Sequence, residues 1–434
     1  MNELAMELNE TLRGYTPGRF LSPMGERLYF PKGIVAQSAE AGAKAKKVNA
    51  TVGLATKNGQ PMHLSDIYSQ FRGDGIEPKE IFNYAPGGGD KELRALWKAD
   101  MIRKNPTLEG KTFSEPLVTA GLTHAISLVA SLFVPHGADI VCPDLFWDNY
   151  DLIFSELTDG NLISFPFFNK RGGFNTEGMK DALLSCKGNC ARIILNFPNN
   201  PTGYSPSRKE AQAIVEAIKE VAGKKYVMVI IDDAYFGLFY EEDTNKESLF
   251  SYLCDADERI FAVKGDAATK EDMVWGFRLG FLTYGGKGLD EKCLDALTKK
   301  TLGAIRCTVS NCERPGQTLL VKAMKSGAAF ESDKAKLFDE MKVRYGILKS
   351  ELAKYDGNAY LKAYPFNSGY FMGFDTMGRS AEDLRKYLLE KYEVGVISIF
   401  DKTLRVAYCS VEPEEIGSLV ALIFRAAEEL WSSR

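Results

Sequence analysis

A lysine and an arginine eight residues apart, with glycines on either side of the arginine, are the part of the sequence best suited to chemistry. Lys270 is followed by Gly276, Arg278 and Gly280. A lysine amine can form an imine (a Schiff base) with an aldehyde, and an arginine guanidinium can bind a phosphate. Pyridoxal phosphate carries both groups. The spacing therefore indicates a pyridoxal-phosphate site, provided that other segments support it.

Two upstream segments give that support. Residues 196–203 read Asn-Phe-Pro-Asn-Asn-Pro-Thr-Gly, and residues 232–235 read Asp-Asp-Ala-Tyr. In this order, and followed by Lys270 and Arg278, they resemble the aspartate aminotransferase superfamily, the fold-type I pyridoxal-phosphate enzymes of class I/II. The resemblance runs from about residue 49 to about residue 411. It implies a transaminase that moves an amino group between an L-amino acid, with acidic or aromatic ones favoured, and a 2-oxo acid.

The phosphate of the cofactor is expected at the turn of residues 119–125, which joins a predicted strand to a predicted helix. Free N–H groups at the start of a helix attract a phosphate. The resemblance implies that Gly121, Leu122 and Thr123 contact the phosphate and that Arg278 binds it as the cation. The family usually has a hydroxyl residue just before the lysine, and here Thr269 or a neighbour is expected to take that role.

The ring of the cofactor is expected beside Asp232, which ends an apolar strand at the edge where such sheets bind their ligands. A carboxylate there can keep the pyridine nitrogen protonated, which makes the ring an electron sink. Asp233 competes for this role, and the resemblance selects Asp232. It also implies that Tyr235 and Asn200 hydrogen-bond the ring hydroxyl.

Two assignments within the predicted site keep an alternative. The segment Trp-Asp-Asn-Tyr that begins at Trp147 is similar to the family's Trp-x-Asn-His, which favours Trp147 as the aromatic stacked on the ring and leaves Phe146 as the alternative. Lys264 is the alternative to Lys270, and we expect it to lie on the surface. Once free of the cofactor, the Lys270 amine is the natural base for proton transfer.

The resemblance also implies residues that bind the substrate. Arg405 resembles the arginine that holds the α-carboxylate, and Gly53 matches a glycine near that carboxylate, although it could be a plain turn glycine. Tyr84 resembles a tyrosine that reaches the phosphate of the neighbouring subunit, so a homodimer with shared active sites is implied. Arg306 resembles an arginine that reaches across the dimer to a side-chain carboxylate. Its alternative is a solvated arginine at a helix end.

The pattern of elements predicts an α/β fold with two domains. Predicted strands lie at residues 116–119, 139–142, 162–165, 192–195, 227–231, 259–263 and 281–284. They are almost wholly apolar and alternate with helical patterns, which indicates a large domain with a mostly parallel seven-stranded sheet between helices. A long helix over 332–355 and a strand pair near 369–373 and 403–408 indicate a smaller α+β domain. We assign residues 70–320 to the large domain, and residues 1–69 and 321–434 to the small one.

Composition narrows the class of protein. The 434 residues carry a net charge of −4, so no basic footprint indicates a nucleic-acid partner. No apolar run approaches the roughly 18 residues that span a bilayer, and the acidic start is unlike a signal peptide. The eight cysteines are scattered, which is typical of a cytoplasmic protein with reduced thiols. Cys186 and Cys190 are four residues apart, but no second Cys/His pair completes a metal site.

Two other functions compete with transamination. A β-eliminating lyase or related synthase on the same scaffold would share the lysine, the aspartate and the arginine, so motifs separate these reactions poorly. A regulator that fuses this fold to a DNA-binding domain would need a winged helix before residue 49. The roughly fifty residues there are too few and carry no basic recognition helix.

Overall fold

The computed structural model describes residues 2–13, 15, 19, 21–29 and 33–432, and these form sixteen α-helices and fifteen β-strands. The first third contains α1 (Glu3–Arg13), α2 (Pro23–Arg27), α3 (Ile34–Lys44), β1 (Val48–Asn49), β2 (Thr56–Lys57), β3 (Gln60–Pro61), α4 (Ser65–Ser69), α5 (Pro78–Phe82), α6 (Lys91–Lys104), β4 (Leu117–Ala120), α7 (Leu122–Phe133) and β5 (Asp139–Pro143). The middle contains β6 (Asn161–Phe165), α8 (Thr176–Ser185), β7 (Cys190–Asn196), α9 (Arg208–Ala222), β8 (Tyr226–Asp232), α10 (Leu249–Leu253), β9 (Ile260–Ala267), α11 (Ala268–Glu271), β10 (Leu279–Gly285), α12 (Glu291–Thr308) and α13 (Pro315–Lys325). The last part contains α14 (Ala328–Ala353), β11 (Lys362–Ala363), β12 (Phe371–Asp375), α15 (Ala381–Tyr392), β13 (Val394–Gly395), β14 (Ile397–Ile399), β15 (Thr403–Ala407) and α16 (Pro413–Trp431). None of the helices in these described segments is long and apolar enough to cross a membrane.

The central sheet has seven strands in the order β4, β10, β9, β8, β7, β5, β6. Strand β10 runs antiparallel to both of its neighbours, and the pairings from β9 across to β6 are parallel. All seven strands predicted from the sequence are present, so the α/β class with a mostly parallel sheet is confirmed. Every residue of β5 and of β10 is buried, as expected for strands covered by helices on both faces.

Helix α9 shows why the sequence forms the covering layer. Its N-cap Ser207 accepts a hydrogen bond from the backbone N–H of Glu210, and the Glu210 side chain accepts one from the backbone N–H of Ser207. The residues it buries recur at helical spacing and are Ala211, Ile214, Ala217, Ile218, Val221 and Ala222. Each fully buried aliphatic side chain stabilises the fold by about 1.5–3 kcal/mol relative to exposure. The apolar stripe therefore fixes the helix against the sheet.

A second sheet lies in the C-terminal part of the chain. Strands β11, β12, β15 and β14 form a four-stranded antiparallel sheet, and α14, α15 and α16 pack together next to it. The predicted long helix and strand pair correspond to α14, β12 and β15. Strand β1 pairs in parallel with β13, so the segment before the large sheet is hydrogen-bonded to this C-terminal region.

Candidate active site

A cavity of about 410 Å³ lies where the carboxyl ends of β7, β8 and β9 face the C-terminal sheet. Parallel strands bring the polar residues that follow them to one edge, where α/β sheets bind ligands. The predicted site residues that line the cavity are Gly53, Leu122, Thr123, Trp147, Asn200, Asp232, Tyr235, Thr269, Lys270, Arg278 and Arg405. A larger cavity of about 850 Å³, bordered by Glu241 and Lys349, contains none of them.

Lys270 lies on the single-turn helix α11, directly after β9. Its side chain is half-buried, and its amine lies 4.8 Å from the centre of the Tyr235 ring. Burial lowers the pKa of the amine to about 8; the Asp232 carboxylate opposes this effect and the Arg278 guanidinium adds to it. About a tenth of the amine is therefore neutral at pH 7, far more than for an ordinary lysine, so it can act as a nucleophile or a base.

Asp232 is buried at the end of β8 and is held by three donors. The Tyr150 hydroxyl donates to its Oδ2 at 2.5 Å, and the backbone N–H of Ala234 donates to its Oδ1 at 3.0 Å. The Asn196 side-chain amide also donates to Oδ1, at 3.2 Å. Burial raises the pKa of this carboxyl, and the three hydrogen bonds and the Lys270 amine oppose the rise. These donors fix the direction in which the carboxylate points.

The neighbouring pair Asp233 and Lys264 lies apart from the cavity. Lys264 is only 1% exposed, forms an ion pair with Asp233, and forms a second one with Asp266 at 3.1 Å. The Ser248 hydroxyl donates to Asp233 at 2.6 Å. Burial alone would lower the pKa of the Lys264 amine, but the two carboxylates raise it above its usual value. The expectation that Lys264 lies on the surface is wrong, because two buried carboxylates compensate its charge in the interior.

The predicted phosphate turn has the geometry of an anion site. Gly121 precedes the first residue of α7 with a φ of 81°, and a Cβ there would collide with the Arg278 guanidinium. A Cβ on Gly280 would lie 2.5 Å from the carbonyl carbon of Gly121. These two glycines let Arg278 lie directly beside the helix start, where N–H groups and a guanidinium both favour an anion. Thr269 is buried and also borders the cavity.

Only one of the two candidate stacking aromatics borders the cavity. Trp147 lines it, whereas Phe146 is buried with its ring centre 4.8 Å from that of Phe400. A plain packing contact accounts for Phe146. The geometry therefore favours Trp147 over Phe146 as the residue able to cover a bound ring.

Arg405 is 2% exposed and has no carboxylate partner among the ion pairs of the described residues. Its Nη1 donates to the Asn200 side-chain oxygen at 2.9 Å, and its Nη2 donates to the Thr51 carbonyl at 2.8 Å. Its Nε is buried without a hydrogen-bond partner, and burial lowers its pKa. The Asp148 carboxylate opposes this shift without forming an ion pair with the guanidinium. A buried guanidinium with no carboxylate in contact is costly, so this position favours binding of an anion.

Gly53 keeps the cavity open. A Cβ there would lie 2.7 Å from the Phe371 ring and 3.7 Å from the Tyr235 hydroxyl. The Gly53 carbonyl accepts a hydrogen bond from the Trp275 indole at 3.0 Å. A side chain at this position would therefore displace a wall of the cavity, which a plain turn glycine does not explain.

Tyr84 and Arg306 do not line the cavity of the single chain. Tyr84 is 91% exposed, and the exposed Arg306 donates to the Ser310 hydroxyl at 2.5 Å near the end of α12. Both residues were predicted to act in the site of a partner subunit. Those two predictions are untouched by the geometry of one subunit.

Several residues at the cavity were not assigned a role from the sequence. Asn196 and Tyr150 hold Asp232, and Trp275 closes over Gly53, while Ile34 and Val35 of α3 form a further wall. A signal existed for Tyr150, because it occupies the position of the histidine in the family's Trp-x-Asn-His. No local pattern marks Ile34 and Val35, which precede the first strand of the large sheet by more than eighty residues.

A family model and several relatives match this sequence. The family described as aminotransferase class I and II matches residues 74–423. A probable aspartate/prephenate aminotransferase of Aquifex aeolicus is 25% identical over 359 residues, covering 80% of this chain and 84% of the relative. An aspartate aminotransferase of Sulfolobus acidocaldarius is 24% identical over 347 residues, covering 80% of this chain and 78% of that protein.

The fold is shared with solved structures as well. The crystal structure of an aminotransferase from Anaerococcus prevotii superposes with a TM-score of 0.82 at 23% identity, covering 92% of this chain and 98% of that one. The family match spans well over half of the 434 residues. The chain belongs to the aminotransferase class I and II family and is a pyridoxal-phosphate-dependent transaminase.

Proposed function

We propose that Lys270 is the lysine that binds the cofactor and transfers the substrate's Cα proton in this transaminase. Asp232 pairs with the pyridine nitrogen of the cofactor. The observation that carries the proposal is the Lys270 amine. It has a pKa lowered to about 8 and lies in a cavity that also contains a buried aspartate and two guanidinium groups. Such perturbed groups in a cleft are typical of active sites.

The residues present fit pyridoxal phosphate. The start of α7 with Gly121 and the adjacent Arg278 suits a phosphate, and the oriented carboxylate of Asp232 suits a protonated ring nitrogen. The side chains of Trp147 and Asn200 border the space between them. The bound cofactor supplies an aldehyde and an electron-withdrawing ring that stabilises negative charge at the substrate's Cα.

The protein's own part in the reaction is to hold the substrate and to transfer a proton. Arg405 suits the α-carboxylate, because Asn200 and the Thr51 carbonyl already orient its guanidinium, while its Nε has no hydrogen-bond partner. The neutral form of the Lys270 amine suits removal of the proton from Cα of the substrate and its delivery to C4′ of the cofactor. Tyr235, which lines the same cavity, is proposed to hydrogen-bond the ring hydroxyl.

The active enzyme is proposed to be a homodimer in which Tyr84 serves the partner's phosphate. Exposed aromatic side chains support this assignment: Tyr84 and Phe82 are 91% and 84% exposed, and Tyr68 and Phe71 are also exposed. Large exposed aromatic residues are enriched at protein interfaces.

The proposed location is the cytoplasm, which is supported by eight cysteines that all remain unpaired.

Mixing two inactive variants tests the shared site. Tyr84→Ala and Lys270→Ala would each damage a different subunit's contribution, so hybrid dimers should recover part of the activity. Each variant alone, at the same total concentration, is the control. A fully active monomer in sedimentation analysis would contradict the proposal.

The substrate is proposed to be an acidic or aromatic amino acid. The relatives from Aquifex aeolicus and Sulfolobus acidocaldarius are described as aspartate or aspartate/prephenate aminotransferases, and Trp147, Trp275 and Tyr235 give the cavity aromatic walls. For an acidic substrate, Arg306 of the partner subunit is proposed to bind the side-chain carboxylate. A guanidinium that pairs with a carboxylate away from water could favour acidic substrates by about 10- to 100-fold.

The half-reaction tests the function and the substrate together. The holoenzyme is incubated with each common amino acid, and the cofactor spectrum and the released 2-oxo acid are followed. Conversion to pyridoxamine phosphate by aspartate, glutamate or an aromatic amino acid is expected, with a selective loss for the two acidic substrates in Arg306→Ala. Release of pyruvate with a leaving group, without pyridoxamine phosphate, would instead indicate β-elimination.

A further inference from the structure

The two residues after Lys270 are acidic, and both point into the protein interior. A Glu271 oxygen lies 2.5 Å from the Lys104 amine and 3.3 Å from the Lys334 amine. An Asp272 oxygen lies 2.7 Å from the same Lys334 amine. Asp100 completes the group at 2.6 Å from the Lys104 amine. We call these five residues the Lys334 cluster, and none of them lines the active-site cavity.

The backbone that carries Lys270 has little support of its own. Helix α11 has four residues, and a single helical turn is not stable in isolation. Met273, just beyond it, has a φ of 52°, so the chain turns away from helical geometry at once. Local backbone hydrogen bonds close the turn, the Tyr370 hydroxyl donates to the Lys270 carbonyl at 3.1 Å, and the Lys334 cluster connects the turn to distant helices through side chains.

The two lysines of the cluster come from distant parts of the chain. Lys104 is the last residue of α6, and Lys334 lies on α14, which packs in the C-terminal region. The side chains of Glu271 and Asp272 are nearly inaccessible to solvent. Burial would raise the pKa of Glu271, but Lys104 and Lys334 hold it below its usual range. Opposite charges in contact away from water attract each other strongly, so these ion pairs can fix the turn between the two lysines.

We propose that Lys334 is a positioning residue for transamination: by binding both Glu271 and Asp272 it fixes the turn that carries Lys270, and thereby the place of the Lys270 amine in the cavity. The inference rests on the proposed role of Lys270. It acts through geometry, because the charges that shift the Lys270 amine most are Asp232 and Arg278 rather than the cluster.

The test is Lys334→Met, which keeps the length of the side chain and removes the amine. A catalytic group displaced by about 1 Å can lose up to about 100-fold in rate, so kcat is expected to fall by about 10- to 100-fold. The KM for the amino acid should be unchanged, because Arg405 is not part of the cluster. The visible circular dichroism band of the bound cofactor should weaken, since it reports a fixed geometry. Lys334→Arg should restore kcat and the band in part.

A second ion pair formed by helix α14 gives the matched control. Lys349 of α14 pairs with Glu241 and does not contact the Lys270 turn. Lys349→Met should therefore leave kcat and the dichroism band at wild-type values. If Lys334→Met yields no folded protein, Glu271→Gln replaces it, because it keeps the shape of the side chain and removes the charge.

The outcomes separate this inference from the proposal on which it rests. Wild-type kcat and dichroism in both Lys334→Met and Glu271→Gln, with Lys270→Ala inactive, would overturn the positioning role alone. A loss of kcat with an unchanged dichroism band, or an equal loss in Lys349→Met, would also overturn it. Wild-type turnover in Lys270→Ala would overturn the proposed function itself.

Discussion

Two lysine–aspartate pairs lie close together in the sequence and in the central sheet, but their surroundings differ. Lys270 and Asp232 face the active-site cavity, whereas Lys264 and Asp233 face the interior. The pKa of the Lys270 amine is lowered to about 8, and that of Lys264 is raised. The same two residue types therefore have opposite electrostatic properties.

Nearby charges, rather than burial, decide this difference. Burial lowers the pKa of both amines. Lys264 contacts two carboxylates, Asp233 and Asp266, which more than offset burial. Lys270 has the more distant influence of Asp232 and the opposing charge of Arg278. A lysine whose positive charge has no carboxylate in contact can lose its proton and react in a cavity. A lysine whose charge is neutralised by contacting carboxylates in the core stays protonated and contributes to stability.

The largest expected effect separates the two lysines. Lys270→Ala should lower kcat/KM for transamination by at least about 10⁴-fold, because it removes both the bond to the cofactor and the base. It should still bind pyridoxal phosphate, since the anion site around Arg278 is unchanged. Steady-state kinetics and the absorbance of the bound cofactor measure the two quantities.

Lys264→Met is the matched control for that loss. It should lower the free energy of unfolding by about 3–5 kcal/mol, because Asp233 and Asp266 are left as buried, unpaired charges. Urea unfolding measures this change, and the folded fraction should still turn over. Near wild-type turnover in Lys270→Ala, with an inactive but stable Lys264→Met, would reverse the assignment.

Substitutions of the two aspartates should also differ, one lowering kcat and the other lowering stability, with a smaller loss of kcat than for Lys270→Ala. Asp232→Asn should lower kcat by about 10²- to 10³-fold with little change in the fold, because the charge that stabilises the protonated ring is lost. Asp233→Asn should mainly lower the stability, because Lys264 loses a partner. If Asp233→Asn were the catalytically damaging change and Asp232→Asn benign, the register of the site would be shifted by one residue.

The pH dependence of the cofactor-free protein gives a third comparison. Only a neutral amine reacts with an aldehyde, so the rate at which Lys270 captures pyridoxal should rise with pH through a midpoint of about 8 and level off roughly one to two pH units above it. Arg278→Gln should move this midpoint upward, because it removes a positive charge that lowers the pKa of Lys270. Pyridoxal lacks the phosphate, so loss of phosphate binding does not confuse the result. A midpoint near that of an ordinary lysine would contradict the assigned pKa.

The fold could be predicted from the sequence because its signals are local. The runs that became β7, β8 and β9 are apolar, short and separated by helical patterns, and such alternation has few other solutions. Lys270, Asp232 and Asn200 lie in compact motifs, so their positions at the cavity could also be predicted.

The errors and omissions involve contacts whose partners lie outside one motif. Lys264 was expected on the surface, although Asp266 lies two residues later on the same face of β9 and was a usable signal. Its other partner, Asp233, directly follows the neighbouring strand β8, and the two residues come together only when the sheet folds. The wall formed by Ile34 and Val35 depends on packing of distant segments, which no local pattern records.

The smallest expected effect concerns the hydroxyl group that donates a hydrogen bond to each aspartate. Tyr150→Phe removes the donor to Asp232 and should lower kcat about 10-fold, the equivalent of one hydrogen bond to a charged group. Ser248→Ala removes the donor to Asp233 and should lower the free energy of unfolding by about 1–2 kcal/mol without changing kcat. Equal kinetic effects in the two variants would show that the two surroundings are not functionally distinct.

The most direct test is to identify which lysine holds the cofactor. Borohydride reduction of the holoenzyme fixes pyridoxal phosphate covalently to that lysine, and mass spectrometry of the peptide spanning Lys264 and Lys270 then locates it. The account predicts the modification on Lys270, with Lys264 unmodified. Modification on Lys264, or on neither residue, would contradict the central claim that the lysine facing the cavity does the chemistry.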